Sequence, residues 1–128
     1  MSRVYLLLGG LIALGLGAMI LFAPVRFYAG YGLNLSGQVS LLNELRAHGL
    51  SLVAAGLFIA SGAVLPPLRP AATLLATVLY LSYGLSRLVA VVADGLPSSG
   101  LLLALAAELA LGLAGLALVL RGGRALAV

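Results

Sequence analysis

The chain has 128 residues, 63% of them hydrophobic and only 8% charged, with a mean hydropathy of +1.24. Soluble domains are about a quarter charged, so this composition excludes an ordinary water-soluble fold and describes a chain whose solvent is lipid. The net charge of +4 comes from seven arginines scattered between apolar runs, which argues against a nucleic-acid surface, and the absence of cysteine excludes disulfides and thiolate metal sites.

Crossing a hydrocarbon core of ~30 Å takes about 20 apolar residues, and runs of that kind occur at residues 4–23, 41–65, 70–92 and 101–120. The first follows Met1-Ser2-Arg3. It is longer than a signal-peptide core and lacks a small-x-small cleavage site, so it reads as a retained helix whose Gly9, Ala13 and Gly17 form a packing seam. The connection that follows, about 24–40, carries Phe27, Tyr28 and Tyr31, the residue types of a headgroup-level aromatic belt.

The second run opens on polar residues, Asn43-Glu44-Leu45-Arg46-Ala47-His48-Gly49. At 100° per residue Glu44, His48, Ser51, Ala55, Phe58 and Gly62 share one face. Arg46 points the other way, beside Leu50, Val53 and Leu57, and is expected to snorkel to headgroups or to meet a partner chain. The prolines of Leu65-Pro66-Pro67-Leu68-Arg69-Pro70 end this helix and start the next.

In the third run Thr73, Thr77, Tyr80, Gly84, Arg87, Val91 and Asp94 line up, with the threonines and Ser51 expected to bond back to their own helices. Asp94-Gly95 then reads as a turn, and Ser98 or Ser99 as the cap of the last helix. In the fourth run Glu108 lies between Ala104 and Gly112, with Gly115 below, a small-residue stripe that should face protein.

The expected fold is therefore all-α: one polytopic bundle of four transmembrane helices spanning residues 1–128. An even number of spans puts both termini on one side, with Arg3, Arg69, Arg121 and Arg124. The other side has Arg26, and Arg46 and Arg87 inside helix ends. The positive-inside rule makes the termini cytoplasmic, and the expected location is the inner membrane.

Helix rise brings Glu44, His48, Arg87, Asp94 and Glu108 to one layer near the outer leaflet, with Tyr80 below. An unpaired ionised side chain at such depth costs at least about 2.5 kcal/mol, so Arg87 and Glu108 are expected to pair, with Glu44 close by. The layer has three readings: a buried ion-pair network that fixes helix register, an outward-opening polar pocket, or proton-coupled chemistry at Glu108. No cofactor is called for. Glu44, His48 and Glu108 make a poor metal set, and His48 reads as an interfacial hydrogen-bonder.

These residues carry a family resemblance. Asn43-Glu44-Leu45-Arg46-Ala47-His48-Gly49, then Tyr83-Gly84-Leu85, Arg87, Asp94-Gly95, Pro97 and Glu108 resemble a group of small bacterial four-helix membrane proteins of unknown function, similar in layout to DoxX-like proteins. Leu50 and Ala90 depart from the pattern, which often has glycine and a hydroxyl residue there. The resemblance implies a four-helix bundle with this polar cluster and implies no activity.

On function, the favoured reading is a module that binds a small amphiphile or lipid headgroup through Glu44, His48, Tyr80, Arg87, Asp94 and Glu108. A quinone or lipid fragment would suit its apolar floor. The alternative is an accessory or assembly subunit of a larger membrane complex, its partners other membrane subunits or further copies of this chain in a homo-oligomer. An oligomeric small transporter ranks below both, and an enzyme lower still, since no activated nucleophile is visible.

Overall fold

The computed structural model describes the backbone of residues 1–125 and side chains to Gly123, so the side chain of Arg124, counted in the charge balance, lies outside that description. The helices are α1 (Ser2–Phe22), α2 (Pro24–Ala29), α3 (Val39–Val64), α4 (Arg69–Asp94) and α5 (Ser99–Ala125), with a 3-10 turn at Pro66–Leu68. Four of these segments are long and apolar enough to cross a membrane, the mark of a membrane protein. The 26 residues of α3 alone extend about 39 Å.

Local chemistry sets the boundaries. Pro24 takes the first position of α2, where a missing N–H costs nothing. Pro66 follows the end of α3, and Pro70 sits in the first turn of α4. α4 closes on Gly95 at φ 97°, a conformation that a side chain would strain. Ser98 opens α5 through its backbone carbonyl, which accepts from the N–H groups of Leu101 and Leu102.

Two antiparallel helix pairs form the bundle. In the first, Gly10 and Gly17 of α1 meet Gly49 and Gly56 of α3 so closely that an added Cβ at Gly56 would lie 2.5 Å from the Leu14 nitrogen. The glycines recur every seven residues on both helices, the period of a left-handed crossing, and backbone packs directly on backbone. The seam thus uses Gly10 and Gly17 rather than the expected Gly9, Ala13 and Gly17; Gly9 receives the ring of Tyr80 instead.

The second pair packs leucine into glycine: Leu109 of α5 fills the space at Gly84, and Leu81 of α4 fills that at Gly112. The two pairs then join mainly between α3 and α4, where Gly62 and Ala72 touch, while α1 and α5 barely meet.

The two ends of the bundle differ. Toward the chain termini, Tyr5, Leu6, Ile59, Ala63, Ala72, Ala76 and Tyr80 pack into a closed core. Toward α2 the pairs splay and leave a cavity.

Candidate functional site

The cavity encloses about 420 Å³ between the two helix pairs. Its walls are Ile12, Leu16 and Ile20 of α1, Leu45 and Leu52 of α3, Leu79 of α4, and Leu101, Ala104, Ala107 and Leu111 of α5. Two tyrosines tie the floor across helices. Tyr80 of α4 donates to the Gly9 carbonyl of α1, and Tyr5 of α1 donates to the Leu111 carbonyl of α5 at 3.1 Å. A phenol in an apolar interior needs a partner, and these find spare lone pairs on helical carbonyls.

Two polar pairs face this cavity. Arg87 donates from Nε and Nη2 to the two carboxylate oxygens of Glu108, at 2.6 and 3.0 Å. This fork-on-carboxylate geometry neutralises both charges in one planar contact. Across from it the Tyr83 hydroxyl and His48 Nε2 are hydrogen-bonded at 2.9 Å. The third guanidinium nitrogen of Arg87, Nη1, has no hydrogen bond among the described residues.

The ion pair is only partly buried. The Arg87 side chain is 31% exposed and that of Glu108 13%, and no described charged residue falls in the fully buried class. The expectation of a buried pair is therefore corrected to one that lines a cavity, because the helices carrying it, α4 and α5, have splayed from α1.

Of the expected site residues, His48, Tyr80, Arg87 and Glu108 line the cavity and Glu44 and Asp94 do not. The inward stripe of α3 is Leu45, His48 and Leu52. The glycine seam with α1 fixes that rotation, and it leaves Glu44 at the exposed edge, one turn nearer the helix end. Asp94 is the last residue of α4, about 10 Å past Arg87 and exposed. Neither makes a salt bridge among the described residues. Glu44 thus takes no part in the Arg87–Glu108 ion pair.

Three further expectations change. Phe27, Tyr28 and Tyr31, expected as a headgroup-level belt, form an edge-to-face cluster whose rings turn inward and roof the cavity. Burial pushes the Tyr28 phenol up against the pull of the nearby Arg87 charge, so it stays a neutral hydrogen-bonding group. Tyr31 lies against Gly100 at the start of α5, where a Cβ would come 3.1 Å from the ring.

Arg46, expected to face headgroups or a partner chain, instead donates to the Leu21 carbonyl at the end of α1, which caps an orphan acceptor with a cation at the negative end of the helix. Phe58 and Ser51, placed inward by the helical wheel, are exposed. Ser51 does bond back to Ala47, as do Thr73 to Arg69 and Thr77 to Thr73.

Sequence reasoning missed Tyr5. Its signal was present: a lone phenol in the first turns of an otherwise apolar run must find an acceptor. No group of His, Cys, Asp or Glu that could hold a metal occurs among the described residues.

The family model described as a domain of unknown function (DUF4345) matches residues 1–119, and the chain belongs to that family. Comparison with curated proteins and with solved structures gave no match.

Proposed function

We propose that the protein is a membrane-embedded binding module that holds a small amphiphile in the cavity between its helix pairs. One observation carries this reading: the Arg87–Glu108 fork and the Tyr83–His48 pair converge on the polar end of one otherwise apolar cavity. The volume, about 420 Å³, falls within the range of small-molecule sites, and a few convergent polar groups on apolar walls are their common composition. A network serving only to fix register would be expected to pack closed, whereas here Arg87 and Glu108 line an open cavity and the Arg87 side chain is 31% exposed.

The membrane proposed is the inner one, with both termini cytoplasmic and α2 near the opposite face. The arginines at the end that holds Arg3, Arg69 and Arg121 support this orientation. Because the chain has no cysteine, single cysteines introduced at Ser2 and Ser36 would report the side of each by membrane-impermeant labelling.

The second reading, an accessory subunit, draws on α5, whose outward face packs on nothing in the chain. Native mass spectrometry of protein extracted in its own lipids separates the two. Binding predicts a small molecule retained by the wild type and lost from Ala104→Trp, which fills the cavity. A stoichiometric partner chain with no bound small molecule would overturn the binding module in favour of the subunit.

A further inference from the structure

The shape and charge of the cavity define the class of ligand, and this inference rests on the binding function proposed above. The roof is closed by the aromatic cluster of α2 and the floor by the tyrosine ties of Tyr5 and Tyr80. The remaining side lies between α1 and α5, which barely meet. There Leu16 is 36% exposed and Ala107 is exposed, although both also line the cavity. The cavity therefore opens sideways, between α1 and α5.

The polar end is electrically balanced. The Arg87 charge is taken up by Glu108 in a bidentate contact, and His48 shares its hydrogen bond with a neutral phenol. An anionic headgroup entering here would lose its hydration and gain no uncompensated cation, and a cationic one would meet no free carboxylate. What the site does offer is hydrogen bonding: the N–H groups of Arg87 Nη1, and the hydroxyl–imidazole pair opposite.

We infer that the cavity takes an uncharged single-chain amphiphile sideways from the bilayer. Its carbonyl or hydroxyl head accepts from Arg87, and its chain lies against Ile12, Leu16 and Leu111.

Two probes with matched chains test this on the purified full-length protein in detergent, read by native mass spectrometry: neutral 1-monooleoylglycerol and anionic oleyl sulfate. The wild type should retain the neutral probe about tenfold better than the anion. Glu108→Gln, which leaves Arg87 uncompensated, should reverse that order, and Ala104→Trp, which fills the cavity, should abolish retention of both. Equal or stronger retention of oleyl sulfate by the wild type would overturn the inference while leaving the binding function standing. Neutral-probe retention undiminished in Ala104→Trp would overturn the lateral site. Retention of neither probe by the wild type would remove the binding function itself, and this inference with it. The wild-type comparison needs no variant to fold.

Discussion

The two ends of this bundle are built from the same four helices and the same few residue types, yet one end is solid and the other hollow. In the closed end, alanines at 72 and 76 are fully buried and let α4 approach α1 and α3 around Leu6 and Ile59. In the hollow end the alanines at 104 and 107 occur on α5, which has drawn away from α1, so their small size adds to a void instead of closing a contact. Small residues thus do opposite work according to whether a neighbouring helix has followed them in. The polar groups divide likewise. Hydroxyls in the closed end are bonded to helix carbonyls, whereas in the hollow end Arg87 pairs with Glu108 and His48 with the Tyr83 hydroxyl beside the cavity.

Four substitutions sharpen or break that contrast, the largest effect first. Arg87→Leu leaves Glu108 facing the cavity unpaired and should lower stability by about 3 kcal/mol, less than for a fully buried pair, with Arg87→Leu/Glu108→Leu recovering most of it. A double-mutant cycle on unfolding in detergent measures the coupling, and additive effects would mean the fork contributes nothing. Ala76→Leu overpacks the closed end and should cost about 1–3 kcal/mol, seen as a lower melting temperature. Tyr80→Phe removes one tie to α1 and should cost about 0.6 kcal/mol in the same assay, the average for hydrogen bonds between membrane helices. Ala104→Leu adds the same bulk as Ala76→Leu but into the cavity. It should change the stability of delipidated protein by under about 0.5 kcal/mol, and a loss as large as that of Ala76→Leu would show that the hollow end is as tightly packed as the closed one.

Much of this was legible in the sequence, for physical reasons that also mark the limits. Four long helices follow from apolar length, which the ~30 Å hydrocarbon core dictates. Arg87 and Glu108 stood out because an ion on a lipid-solvated helix must find its counterion, and each had few candidates. Glu44 and Asp94 carried no such compulsion. Near helix ends a carboxylate can stay exposed, so sharing a nominal face with His48 or Arg87 did not draw them in.

Rotation was the other blind spot. A helical wheel gives the relative angles on one helix, but the inward direction of α3 depends on which glycines α1 chooses to meet. That choice moved Phe58 outward and turned Arg46 toward the end of α1. The aromatic roof was hidden for a similar reason. Phe27, Tyr28 and Tyr31 suit a headgroup belt or a lid equally well, and only the short α2, starting at Pro24, folds them over the cavity.

The most direct test of the central claim is contact between lipid chains and buried methyls. With the protein methyl-labelled in lipid bilayer discs, intermolecular nuclear Overhauser effects from acyl methylenes to Leu52 and Leu111 are predicted, with none to Leu6. Leu52 is only 8% exposed yet lines the cavity, whereas Leu6 is fully buried in the closed end. Lipid contacts confined to outward leucines such as Leu7 and Leu113, with Leu52 as silent as Leu6, would contradict the account.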